Sequence, residues 1–163
     1  MLNKDVYRGF KFNVTITSGN TNFFQGRASF QKVSGIQSSV EVVEYREGNM
    51  ADRMEKMAGM MSYDSVTLER GLSDDDAFNT WMKTVCDVTN GPASSSGSDK
   101  SYRCDVKIEL LNKQGLAVKT YTLKDAWPSE YTVGDFDATS NDVVISTLVL
   151  QHHGIKEENI TQS

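Results

Sequence analysis

The chain has 163 residues, 38% of them apolar and 24% charged, and its 17 Lys and Arg against 22 Asp and Glu leave a formal net charge of −5. A chain of this length suits one domain, residues 1–163, with a core that needs no disulfide. The acidic balance and the lack of a basic cluster exclude a generic nucleic-acid binder, whose affinity rests on clustered Lys and Arg. No stretch approaches the ~18 apolar residues that span a bilayer, and Met1–Phe10 carries Lys4, Asp5 and Arg8 where a signal peptide has an apolar core. The expectation is a protein made in the cytoplasm, with no stable membrane insertion.

Phe10, Phe12, Val14 and Ile16 alternate with Lys11, Asn13, Thr15 and Thr17, the period of a strand with one buried face. Ser18-Gly19-Asn20 supplies a turn, and Phe23 to Val33 is expected to return as one strand. Val40–Arg46 is extended and apolar on both faces, which suggests cover on both. Val66 and Leu68 mark a short strand that Gly71 closes. A helix follows, with Ser73 as N-cap and Asp74, Asp75 and Asp76 at the positive end of its dipole. Phe78, Trp81, Met82 and Val85 form its buried stripe, and Asn90-Gly91-Pro92 stops it.

Ala93–Ser101, rich in serine, is a surface loop. Cys104, Val106, Ile108 and Leu110 alternate with polar residues, and Asn112–Gly115 turns that strand into its partner, Leu116–Leu123. Asp125-Ala126-Trp127-Pro128 is expected to break the second strand, and the β-branched run Asp142–Leu150 to be a strand buried on both sides. Many short strands and one helix predict a mainly β protein, an antiparallel barrel or sandwich with one flanking α-helix. The two cysteines, Cys86 and Cys104, are expected to be small buried apolar residues.

Gly48–Tyr63 is the segment that fits least well. It holds Met50, Met54, Met57, Met60 and Met61, five of the chain's 7 methionines, and is too long and apolar for an ordinary loop. The spacing of Met50, Met54, Met57 and Met61 would put them on one helical face, although Gly48 and Gly59 weaken a helix. Such a stripe either covers the chain's own core or, as an adaptable thioether surface, grips another subunit. Convergent chemistry is absent. There is no P-loop, G-x-S-x-G, H-E-x-x-H or dinucleotide fingerprint, and adjacent strand residues His152 and His153 point apart, as surface or interface residues. Glu41, Glu44 and Glu47 are expected to form a solvated or salt-bridged rim. No enzyme activity, cofactor or metal is expected.

Several segments in order resemble a known family: Val33-Ser34-Gly35-Ile36, Val42 to Gly48, Val66 to Leu72, Trp81 in the helix, Ala126-Trp127-Pro128 and His153-Gly154-Ile155. The chain is similar to inner tube proteins of contractile tails, which include T4-type phage tail tubes and the tubes of extracellular contractile injection systems, and which share their fold with Hcp of type VI secretion. It departs from them at Lys56-Met57-Ala58-Gly59, where many members have Lys-x-Pro-Gly, so its backbone is less restricted there. The resemblance implies an Hcp-like barrel, six copies to a ring and rings stacked into a hollow tube that conducts protein cargo or DNA when the sheath contracts. It also implies sheath, baseplate or hub, and tube-terminating proteins as partners, in an assembled contractile particle or virion. The segment 48–63 becomes a long inter-subunit loop, and about 1–8 and 156–163 disordered or arm-like ends. Candidate interface residues are Val40, Val42, Tyr45 and Arg46, the methionines Met50, Met54, Met57, Met60 and Met61, and Val143, Ile145 and Val149. The last three belong to the run Val143–Leu150, which with Val40–Tyr45 is expected to offer exposed strand edges for assembly. A monomeric β-barrel module that binds a ligand or protein is the alternative.

Overall fold

Alternation of apolar and polar residues becomes alternation of inside and outside once strands pair. The computed structural model describes residues 11–17, 25–46, 48–49, 54–71, 77–90, 102–139 and 142–160. Its elements are β1 (Lys11–Thr17), β2 (Gln25–Phe30), β3 (Lys32–Ser34), β4 (Ser38–Tyr45), β5 (Glu55–Tyr63), β6 (Val66–Gly71), α1 (Ala77–Asn90), β7 (Cys104–Leu111), β8 (Ala117–Val133), β9 (Ile145–Gln151) and β10 (Gly154–Asn159). All strand pairs are antiparallel. The protein is therefore mainly β with one described helix, as expected. The N-cap Ser73 and its aspartates, the turn Ser18–Asn20, Gly91-Pro92 and the loop Ala93–Ser101 lie outside the described residues.

The main sheet runs β2-β1-β7-β8-β9-β6-β3, with β10 added beside β8. Its two ends, β2 and β3, are consecutive in the chain and separated by Gln31 alone. One bend there carries the chain from one end of the path to the other and closes the barrel, held by the Gln31 N–H donating to the Glu69 carbonyl (2.9 Å). The expected single strand from Phe23 to Val33 is thus two strands serving opposite ends of the sheet.

β7 is the central register. Val14 of β1 faces Ile108, which faces Tyr121 of β8, and Val106 faces Leu123, so these apolar residues share the inner face. The turn after β7 matches its sequence: the Asn112 carboxamide oxygen accepts the backbone N–H of Gln114 (2.9 Å) and of Leu116 (3.0 Å), while Gly115 takes φ +81°.

The expected break at Asp125–Pro128 is a bend instead. Asp125 adopts φ +49° and its N–H donates to Asp105 Oδ1 (3.2 Å). The first half of β8 pairs with β7 and β10, and beyond the bend Trp127–Val133 pairs with β9. The register shifts again after Pro128, which has no N–H to give. One strand therefore serves both walls of the barrel. β9 also differs from expectation: Ser146, Leu148 and Leu150 are buried, whereas Thr147 and Val149 are only half-buried and Ile145 is exposed. Its β-branched composition fits a central strand with one core face, flanked by β8 and β6. The expected arm at 156–163 is a strand as far as Asn159.

α1 closes one side of the barrel against β8 and β2. Phe78, Trp81 and Val85 are buried and Met82 half-buried, as the helical stripe predicts. The Trp81 indole N–H donates to the Tyr102 carbonyl (2.7 Å), and Phe78 meets Phe30 edge to face at 5.4 Å with the Arg70 guanidinium over both rings. Cys104 is buried as expected. Cys86 is exposed, because the residue after Val85 turns a further ~100° off the buried stripe. No described helix is long and apolar enough to cross a membrane.

Candidate subunit interface

β4 and β5 pair with each other and with no strand of the barrel, forming a separate two-stranded sheet. From Glu55 to Tyr63 the Met-rich segment is therefore one strand of a β-hairpin and not the helix that its spacing allows. Gly59 disfavours helix, and the β-branched residues Val40, Val42 and Val43 present a strand for it to pair with, so ladder hydrogen bonds win over the helical period.

Cross-strand partners share a face. Val40 stands opposite Met61 and Val42 opposite Ala58 on one face, Val43 opposite Met57 and Tyr45 opposite Glu55 on the other. Between them the register slips, so that Gly59 and Met60 together oppose Glu41 in a bulge. A side chain on Gly59 would bring its Cβ within 2.9 Å of Val43 Cγ2 and 3.2 Å of the Glu41 carbonyl, so the bulge fits glycine.

Both faces are apolar and neither is covered. Val42 is 61% exposed and Met60 78%, and Val40, Val43, Met54, Met57 and Met61 are also exposed. The expected cover on both faces of Val40–Arg46 is not supplied within this chain, and of the two readings of the methionines the one in which they seal the chain's own core does not hold for Met54, Met57, Met60 and Met61. Polar pairs lie where Tyr45 and Glu44 meet β5. The Tyr45 hydroxyl donates to Glu55 Oε2 (2.8 Å), which holds the phenol proton and raises its pKa, and Lys56 lies 3.7 Å from Glu44.

The hairpin is fastened at its root. Gly35 takes φ +83°, and a Cβ there would stand 2.1 Å from the Ser65 carbonyl oxygen, so only glycine lets the two connections approach. The Asp64 N–H donates to the Gln37 carbonyl (3.2 Å), and the Ser39 and Ser62 hydroxyls lie 2.8 Å apart. His152, expected as a surface or interface residue, is buried within the chain instead: its Nε2–H donates to the Asp64 carbonyl (2.9 Å) and Tyr63 packs on its ring at 5.5 Å. Burial pushes the His152 imidazole below the ordinary histidine pKa. His153 is exposed beside the Arg103 guanidinium.

The structure thus brings together Val40, Val42, Tyr45, Met57, Met60 and Met61, with Arg46 and Met54 exposed at the strand ends. Met50 lies outside the described residues. Val143, Ile145 and Val149 are not part of the hairpin; they lie in and before β9, which is paired on both sides and so offers no free edge. The edges of the main barrel that pair on one side only include β2 and β10, and β10 was missed because Lys156–Asn159 is polar throughout and shows no alternation. Exposed Phe136, in the connection before β9, and Val43 were also missed as candidates; an isolated aromatic in a polar loop and a valine beside Val42 were the available signals. Among the described residues no three potential metal ligands come together.

The family model of the T4-like virus tail tube protein gp19 matches residues 8–156. The chain belongs to that family. Membership makes this tail tube protein a structural tube subunit and does not favour the monomeric binding module. No curated protein sequence matches it. Among solved structures, a chain of the anti-feeding prophage baseplate, symmetrised six-fold, is 28% identical with TM-score 0.73, over 99% of this chain and 100% of that one. A chain of the PVC sheath–tube complex of an extracellular contractile injection system, in the extended state, is 25% identical with TM-score 0.69, over 95% of this chain and 90% of that one. Hcp1 from Salmonella typhimurium shares the fold at 10% identity, TM-score 0.51, over 92% of this chain and 86% of that one. The tail tube protein is thus Hcp-like in fold.

Proposed function

We propose that the chain is a single tail-tube domain, six copies of which close into a ring, and that the rings stack into a hollow tube inside a contractile sheath. The observation that carries this reading is the uncovered two-faced apolar hairpin. A soluble chain rarely leaves so many clustered apolar side chains to water unless another molecule covers them. The candidates Val40, Val42, Tyr45, Arg46, Met54, Met57, Met60 and Met61 then form the contact between copies, with thioethers that adapt to the partner surface.

The half-paired edges suit the ring. β10 of one copy adds to β2 of the next, a head-to-tail contact that closes around a rotation axis. This replaces β9 as the candidate edge. The outer face of the wall formed by β1, β7, the first half of β8 and β10 then turns toward the channel. Its charges pair: Lys107 with Glu109 at 2.9 Å, Lys124 with Asp105 at 2.8 Å and Lys156 with Glu158. A polar, self-neutralised wall has little hold on protein cargo or DNA passing it. Sheath, baseplate and tube-terminating proteins are the further partners, supported by the sheath–tube and baseplate assemblies to which the similar chains belong.

Negative-stain electron microscopy of the wild type and of the double variant Met54→Asp, Met57→Asp tests this. Wild-type annuli or tubes with an open channel are expected, and a variant that melts as the wild type does yet forms neither. Small featureless wild-type particles at every concentration, even beside sheath and baseplate components, would return the binding module to first place.

A further inference from the structure

Among the described residues the hairpin's strands pair with no barrel strand, and the bonds that fasten it lie at its root. His152 sits at that root, 7% exposed, and its bond to the Asp64 carbonyl is made where β5 ends. A carbonyl accepts, so Nε2 carries the proton and Nδ1 is the bare nitrogen of a neutral ring. Nδ1 is buried and has no hydrogen-bond partner. A proton arriving there creates a buried cation in contact with the Tyr63 ring; the backbone of Gly154 favours that cation, as the Asp64 carbonyl does, but burial outweighs both.

The ionisable groups presented from the surrounding elements do not offset that charge. The hairpin contributes the Tyr63 phenol and Asp64, whose carbonyl already serves Nε2. His153 follows in the chain and is a like charge when protonated. Behind His153 stand Arg103, 3.3 Å from its ring, and Lys124, whose ammonium is turned to Asp105.

We propose that His152 is an acid-sensitive fastening of the β4–β5 hairpin, which its neutral ring holds against the barrel and its protonated ring releases. Protonation requires hydration of Nδ1, and the element that can move to admit water is the hairpin, because the opposite side of His152 belongs to the paired strands β9 and β10. The consequence for the particle is that acid frees the surface through which copies join. That last step rests on the proposed assembly, whereas the release itself is a property of the single chain.

Hydrogen–deuterium exchange tests the release without reference to assembly. Peptides covering β4 and β5 are compared at about pH 7.5 and about pH 5, corrected for intrinsic exchange, in wild type, H152Q and H153Q. Gln keeps an N–H for the Asp64 carbonyl and does not titrate. Expected is a loss of hairpin protection of at least about tenfold at the lower pH in wild type and H153Q, none in H152Q, and unchanged protection in β7 and β8. Protection that survives acid in the wild type, falls equally in H152Q, or is missing at both values overturns the proposal. Should H152Q fail to fold, imidazole NMR of the wild type decides: the His152 signal titrates together with the hairpin amides, and titration without any change in those amides overturns it. Rings that fail to form at any pH while the exchange result holds would count against the proposed assembly alone.

Discussion

Single residues set this fold where the backbone leaves the ordinary regions. Asp125 at φ +49° lets one strand line two walls, and its N–H is caught by Asp105. Gly35 has the stricter demand, since positive φ and a carbonyl 2.1 Å from an added Cβ coincide at one position. Gly35→Ala is expected to lower stability by about 1–3 kcal/mol through backbone strain and overpacking. At roughly 2–4 °C per kcal/mol for a chain of this size, the loss is read as a fall in melting temperature of several degrees. An unchanged melting temperature would mean that the hairpin root rearranges freely.

At the scale of the element, the β4–β5 hairpin is a sheet with no core of its own. A two-stranded ribbon is marginal in water by itself, so its register depends on the root and on the bulge at Gly59. Gly59→Val places a side chain against Val43 and the Glu41 carbonyl and is expected to undo the bulge. Because the hairpin pairs with no barrel strand, the melting temperature should move by less than the equivalent of ~1 kcal/mol. Assembly should fail all the same, seen as the absence of annuli by electron microscopy. A large fall in melting temperature would show that the hairpin supports the barrel. α1 has the opposite character: its Phe78, Trp81 and Val85 stripe is buried in the barrel and exists to complete the core.

At the scale of the whole molecule, titration links the elements to pH. The folded pKa of His152 lies below its ordinary value, about 6.5, because burial disfavours the cation. Above that ordinary value both folded and unfolded chains hold the ring neutral, and it adds no pH dependence. As pH falls below it the unfolded chain takes up the proton first, so stability declines until the folded pKa is reached. Glu158, held below the carboxylate range by Lys156, adds a weaker decline at lower pH. Lys119 and Lys124, raised by their bonds to Glu157 and Asp105, work in the other direction and lose their small effect only in strong alkali. Thermal melts from pH 8 to pH 5 should therefore fall at the acid end, and H152Q should flatten that limb. Equal slopes in both proteins would exclude His152 as its source.

The sequence by itself determined the class of fold and most of the core. Val14, Ile16, Val106, Ile108, Phe78 and Trp81 carry periods of two or of 3.6 residues that only one face can satisfy, and hydrophobic burial follows such periods wherever the chain packs. It also marked the Met-rich segment as the surface to explain, through composition alone. What the tertiary structure decided was pairing. The closing of the barrel at Gln31, the bend at Asp125, the polar strand β10 and the conversion of a helical methionine spacing into a strand all depend on which edges meet, and edge partners are non-local. The burial of His152 is of the same kind: its two sequence neighbours say nothing of Tyr63 and Asp64, which the fold brings from the other half of the chain.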